Sequence, residues 1–408
     1  MTDTPGTPTD PTITAPDRRG SGAFKWDLAG ADEIPMWVAD MDFAVAPAIT
    51  AALRRRVDHP VFGYTGVPDS YLDAVVEWER TRNDWPLSRE QLVVVPSVMP
   101  ALAAAVAELT RPGDRVATFS PVYFPFFDVV EQQERVLVQV PLAERTAADG
   151  GVQYAIDADA LAAGLRGASL LLFCSPHNPG GRVWSADELA TVCEVARREG
   201  VSVVSDEIHS DLVFPGERFV PWLTTGGATD RDMALIAPSK TFNIPGLPTA
   251  TAIVPDPAWR DAYRRALAAR MLKLPNLLAI TAAEAAYRGA GDWLDAVRRR
   301  IHEHYLLLRE LLADEPGVRV HTMEGTFIAW IDFRGRWERV DVAAGRDEAS
   351  LSRRFGTLAR RHGVWLSDGR QFGPEGEGFM RMNLATSREN VEEGIRRLRR
   401  ALAEFAPQ

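Results

Sequence analysis

Lysine is rare in this chain: of 46 basic residues only Lys25, Lys240 and Lys273 are lysine, and the others are arginine. Lys240 lies in Met233-Ala-Leu-Ile-Ala-Pro-Ser-Lys240-Thr-Phe-Asn-Ile-Pro-Gly246, where an apolar run gives way to a loop with proline and glycine. A lysine amine can lose its proton in a desolvated site and attack a carbonyl to form a Schiff base, whereas arginine stays protonated. Taken alone, Lys240 could equally be a surface lysine at a strand end. Other residues at similar places carry matching chemistry. Ser97 and the free N–H groups of Val98 and Met99, at the start of a helical pattern, make an anion site suited to phosphate. Asp206 ends another apolar run, and a carboxylate beside a heteroaromatic nitrogen keeps it protonated, which makes a pyridine ring an electron sink. Phosphate, protonated ring nitrogen and Schiff-base lysine together describe pyridoxal 5'-phosphate.

The elements that must position these residues are short apolar runs: 92–95, 116–119, 170–174, 201–204, 233–236 and 250–254. Helical patterns lie between several of them. The pattern over 185–199 opens with the capping box Ser185-x-x-Glu188 and stops before Gly200. Ser97 is expected to cap a helix reaching Leu109. Apolar runs alternating with helices predict an α/β fold, a mainly parallel sheet covered on both faces, over about residues 50–290. Parallel sheets bind ligands at the C-terminal ends of their strands. Ser97, the loop Ser175-Pro-His-Asn-Pro-Gly-Gly181, Asp206-Glu-Ile-His209 and Ser239-Lys240 all fall at that edge. After a long helical stretch around 292–315 the pattern becomes α+β, with strands near 318–321, 326–332 and 379–384 and helices near 349–362 and 387–404. The expected organisation is a disordered tail over 1–22, an arm over 23–49 joining a smaller α+β domain at 291–408, and a large domain over 50–290.

With a formal net charge of -10, the chain lacks the basic balance expected of nucleic-acid or anionic-membrane binding. No apolar stretch reaches the roughly 18 residues of a bilayer span. The start of the chain has neither the basic nor the apolar part of a signal peptide. Two cysteines, Cys174 and Cys193, do not make a disulfide framework, so a cytoplasmic setting is expected. Asp40 and Asp42 lack the companion ligands of a metal site, and no metal is expected.

The combination Ser175-Pro-His-Asn-Pro-Gly-Gly, Asp206-Glu-Ile-His and Ser239-Lys240-Thr-Phe-Asn, in this order, resembles the fold-type I pyridoxal-phosphate enzymes of the class I/II aminotransferase superfamily over about residues 24–404. Trp37-Val-Ala-Asp-Met-Asp-Phe43 and Phe62-Gly-Tyr-Thr narrow the resemblance to the MalY/PatB-like branch of cystathionine and cysteine-S-conjugate β-lyases. The resemblance implies that Lys240 carries the cofactor, Asp206 pairs with the ring nitrogen, Asn178 bonds the phenolic oxygen and Tyr123 stacks on the ring. Lys240, Asp206 and Tyr123 form the implied catalytic set. It further implies that Arg381 clamps the substrate α-carboxylate, with Asn178 nearby and the backbone of Ala39 and Asp40 lining that pocket. Tyr64 would reach the neighbouring subunit's site, which implies a homodimer. His209 takes the place of a tyrosine common in aminotransferases. Ala237 and Pro248 stand where a phosphate-binding serine and arginine are common, so phosphate should rest on Ser97, the N–H groups of Val98 and Met99, Tyr64 and Ser239. The implied activity is β-elimination from L-cystathionine or related conjugates to a thiol, pyruvate and ammonia. Aminotransfer to a 2-oxo acid, and a binding protein that keeps the fold, are the alternatives.

Overall fold

The apolar runs become strands of a seven-stranded sheet: β1 Leu92–Val95, β2 Arg115–Ser120, β3 Val136–Pro141, β4 Ala168–Cys174, β5 Ser202–Asp206, β6 Met233–Ile236 and β7 Ala250–Ile253. Their spatial order is β1-β7-β6-β5-β4-β2-β3. The structure, a computed structural model, describes residues 13–337 and 350–405. Strands β2 to β6 pair in parallel, and β7 alone runs against its neighbours β6 and β1. Successive residues face two different cores. Leu170 and Leu172 of β4 pack with Val204, Leu235 and the helix Val98–Leu109, while Leu171 and Phe173 pack with Val203, Phe119 and the helix Ala186–Glu199. A strand covered on both faces needs apolar residues at both parities, hence the unbroken Leu-Leu-Leu-Phe. Truncating one of these leucines to alanine would cost about 2–5 kcal/mol, so the strand ends stand on a stiff base.

Local signals fix the helix ends. Ser185 and Glu188 form the reciprocal capping box, and Gly200 stops the helix in the left-handed region at φ 71°. Ser97 departs from expectation: it occupies the N-cap of Val98–Leu109 with extended backbone, but its hydroxyl makes no capping bond. That hydroxyl is left for whatever sits at the helix N-terminus.

The second sheet is antiparallel: β8 Arg319–Val320, β9 Ile328–Asp332, β10 Ser367–Asp368 and β11 Phe379–Asn383, in the order β8-β9-β11-β10. Helices Leu351–Arg361, Arg388–Glu404 and Gly291–Leu312 accompany it. Ile34–Pro35 pairs in parallel with Val364–Trp365, which ties the early chain to this region. Among the described residues no helix is long and apolar enough to cross a membrane.

The described end of the expected tail, residues 13–22, makes hydrogen bonds to the arm. The Thr14 carbonyl accepts the Ala44 N–H at 2.7 Å, and Arg18 bonds both Asp40 and Asp42. Charge pairing holds a stretch whose composition looks unstructured; residues 1–12 lie outside the described residues.

Candidate active site

The parallel strands deliver their following loops to one edge. β1 leads to Ser97, β2 to Tyr123, β4 to Asn178, β5 ends in Asp206, and β6 leads to Ser239 and Lys240 on the short turn of helix Pro238–Thr241. Ser97, Val98, Met99, Tyr123, Asn178, Asp206, His209, Ser239 and Lys240 line one pocket, together with Ala39 from the arm and with Cys174, Pro248 and Thr249. Sequence separations of more than 200 residues thus close on a single cavity. Tyr64 is not part of it: the side chain is 99% exposed in the single chain.

Arg381 arrives from the second sheet, opposite Trp330 of β9 and Ser367 of β10 in the strand register. It is 5% exposed and lies over the Phe372 ring, 4.6 Å from its centroid. The guanidinium donates to Asn178 Oδ1 at 3.1 Å, to the Trp37 carbonyl at 3.0 Å and to Ser367 Oγ at 3.4 Å. Burial pushes it down to about 10, with Tyr123 opposing, so it stays cationic at neutral pH.

The arm is threaded through side chains that take its carbonyls in succession. Arg381 takes Trp37, Asn383 takes Val38 and Asp40 at 2.6 Å each, Lys240 takes Ala39, and Asn243 takes Met41 at 3.0 Å and Phe43 at 2.8 Å. The Asn243 side-chain oxygen also accepts the Met41 N–H at 2.9 Å. These bonds explain why an irregular aromatic and acidic segment keeps one conformation: its backbone groups are satisfied by side chains instead of a ladder. Asn243 stands in the Ser239-Lys240-Thr-Phe-Asn motif and Asn383 two residues after Arg381, but their work on the arm was not read from the sequence. Of the expected backbone pair, Ala39 lines the pocket and its carbonyl meets the Lys240 amine, whereas Asp40 is not among the lining residues.

Electrostatics suit an amine nucleophile. Burial lowers Lys240 to about 8, and Arg381 pushes the same way while Asp40 and Asp206 pull back. Asp206 is 3% exposed and accepts one side-chain hydrogen bond among the described residues, from the Ile208 N–H at 3.1 Å. Burial raises it to about 7, against the pull of that N–H and of Lys240. A buried carboxylate so poorly compensated fits a cationic partner, as a protonated ring nitrogen would be. Burial keeps the Tyr123 phenol protonated and holds His209 neutral at about 3, with His209 Nδ1 lacking a partner among the described residues. The free Ser97 hydroxyl and the N–H groups after it suit a phosphate. Pro248 and Thr249 line that pocket without an arginine, as the sequence implied. The residues present therefore fit pyridoxal 5'-phosphate on amine, acid and anion sites alike.

Elsewhere, Glu144, His321 and Asp332 bring ligand-type atoms within 4.8 Å of one another. Both Asp332 oxygens are already taken by Arg319 and Arg334, so in this structure Asp332 serves an ion-pair network.

A mainly parallel α/β sheet with these groups at its strand ends defines a pyridoxal-phosphate-dependent enzyme of fold type I. The chain belongs to the family described as aminotransferase class I and II, whose model matches residues 32–398. It is 39% identical over 396 residues to the cystathionine beta-lyase PatB of Bacillus subtilis, covering 95% of this chain and 98% of that protein. Cystalysin from Treponema denticola, solved with a pyridoxal 5'-phosphate cofactor, superposes with a TM-score of 0.88 at 32% identity, covering 96% and 98% of the two chains. The pyridoxal-phosphate-bound C-S lyase from Staphylococcus hominis gives 0.86 at 29% identity, covering 96% and 99%.

Proposed function

We propose that this protein is a carbon–sulfur β-lyase that cleaves L-cystathionine or related L-cysteine S-conjugates to a thiol, pyruvate and ammonia. The observation that carries the reading is the convergence of Lys240, Asp206 and Asn178 on one pocket, with Arg381 bonded to Asn178 at its wall, in a chain this similar to a cystathionine β-lyase. Bound pyridoxal 5'-phosphate supplies the electron-withdrawing ring that stabilises negative charge at the substrate α-carbon. Lys240 would hold it through Nζ and, once released from that bond, would receive the substrate α-proton. Burial favours the neutral amine which that role requires. Asp206 holds the ring nitrogen's proton. Asn178 spends its oxygen on Arg381, which leaves its amide N–H groups for the phenolic oxygen. Arg381 orients the α-carboxylate, and Tyr123 forms the ring's stacking wall. Ser97, Val98, Met99 and Ser239 hold the phosphate.

In our reading the enzyme works as a homodimer in the cytoplasm. The exposure of Tyr64, with Val61 60% and Phe62 59% exposed beside it, supports a second copy as what covers this loop. Free, buried Cys174 and Cys193 accord with a reducing compartment.

The test is pyruvate release from L-cystathionine over many turnovers with no 2-oxo acid added. Sustained release of pyruvate and thiol in equal amounts is expected. Absence of pyruvate, with the visible spectrum bleached by substrate and restored by a 2-oxo acid, would make the protein an aminotransferase.

A further inference from the structure

Two cations serve the acidic pair of the arm. Arg18 donates to Asp40 at 2.7 Å, to Asp42 at 2.8 Å and to the Met41 carbonyl at 3.1 Å. Lys25, whose side chain is fully buried, donates to Asp42 at 3.0 Å and to the Asp40 carbonyl at 3.4 Å, and lies 3.7 Å from the Asp40 carboxylate. Trp26 Nε1 adds a bond to Asp42 at 2.8 Å. Asp42 is therefore bonded from three sides. Asp40 is not: among the described residues its Oδ1 is buried without a hydrogen-bond partner, and Arg18 supplies the side-chain bond to Oδ2. The residue before it, Ala39, presents its carbonyl to Lys240.

We propose that Arg18 is a positioning residue for Lys240: it neutralises Asp40 and pins the Asp40–Asp42 stretch, so that the Ala39 carbonyl receives the Lys240 amine and the amine remains able to lose its proton. This inference rests on the reading of Lys240 as the cofactor-bearing amine. The charged and titratable groups acting on Lys240 are Arg381 from the second sheet, Asp206 at the end of β5, neutral His209 from the loop after it, and Asp40 from the arm. Arg381 favours the neutral amine, and the two carboxylates favour the ammonium. Of these, only Asp40 is held by a cation from the stretch ahead of the arm. Without Arg18 the Asp40 charge acts on Lys240 with Lys25 alone to offset it.

The covalent uptake of pyridoxal 5'-phosphate by the cofactor-free full-length protein needs the neutral amine, and its rate against pH, followed by visible absorbance, reads the Lys240 midpoint. Arg18→Gln is expected to raise that midpoint by about 0.5–1 unit. Arg18→Lys should restore most of the shift, Asp40→Asn should lower the midpoint, and Arg18→Gln should add nothing on the Asp40→Asn background. An unchanged midpoint in Arg18→Gln, or an equal rise with and without the Asp40 carboxylate, overturns the proposal. Should Arg18→Gln fail to fold, Asp40→Asn decides, since a midpoint equal to that of the unaltered protein also overturns it. Borohydride reduction followed by peptide mapping separates the two readings: a label on any lysine other than Lys240 rejects the site itself, whereas a label on Lys240 with an unmoved midpoint rejects only the role of Arg18.

Discussion

Replacing Arg381 by alanine removes a buried guanidinium that spends three contacts, on Asn178, Trp37 and Ser367, holding itself in place. The rest of its fork remains for a planar anion. Two charge-assisted hydrogen bonds to a substrate carboxylate, at about 1.5–3 kcal/mol each, amount to about 3–6 kcal/mol. Water cannot readily substitute, because the residue is only 5% exposed. The expected result is a loss of kcat/KM of roughly 10²–10⁴-fold, carried mainly by KM. Arg381→Lys, which keeps the charge and loses the fork, should fall between the two. The assay is pyruvate release against conjugate concentration, with circular dichroism and cofactor content checked because alanine also frees Asn178. A KM within a few-fold of the unaltered enzyme, in a folded and cofactor-loaded variant, would refute the carboxylate role.

Asp206→Asn should lower kcat by roughly 10²–10³-fold with a smaller change in KM, since an amide cannot hold the ring nitrogen protonated; equal kcat at saturating substrate would contradict this. Tyr64→Ala should leave thermal stability within about 0.5 kcal/mol for the isolated chain, yet weaken cofactor binding about tenfold or more through loss of a phosphate contact across the dimer. Equilibrium dialysis checks it, and unchanged affinity removes the tyrosine from the site. Glu207 is fully buried, with Oε2 unpartnered among the described residues, and burial raises it to about 8. Because the folded value lies above the unfolded one, its stabilising contribution is complete below the ordinary carboxylate range and is lost as pH rises through about 8. Denaturant melts of Glu207→Gln should therefore show a flatter stability profile over that window, and an identical slope would sink the assignment.

The sequence made the sheet legible because strands buried on both faces cannot hide their apolar parity. The loops after those strands then identified Ser97, Asn178, Asp206 and Lys240 without any contact being known. What stayed illegible has physical reasons. β3 is a half-buried edge strand interrupted by Gln139, so neither a continuous run nor a clean alternation marks it. The hairpin of Ala143–Thr146 with Val152–Ala155 was missed likewise, one of its strands being exposed throughout. Arg18, Asn243 and Asn383 act on the arm, the two asparagines from 200 to 345 residues away. The targets of the two asparagines include carbonyl oxygens, which every residue possesses and no sequence pattern displays. Lys25 had no assigned chemistry; its side chain turns out to be the buried counterion of Asp42.

The threading of the arm makes its length, more than its side chains, the property under constraint. From Trp37 to Met41 every carbonyl meets a side-chain donor, Asn383 serving two of them, and the donors stand on β11, on the turn after β6 and on the segment before the arm. A side-chain substitution at Val38 leaves that pairing intact. A single-residue insertion or deletion there would hand each donor the neighbouring carbonyl, turned to the wrong side. Lys240 and Arg381 would lose their registration together, although neither had been altered.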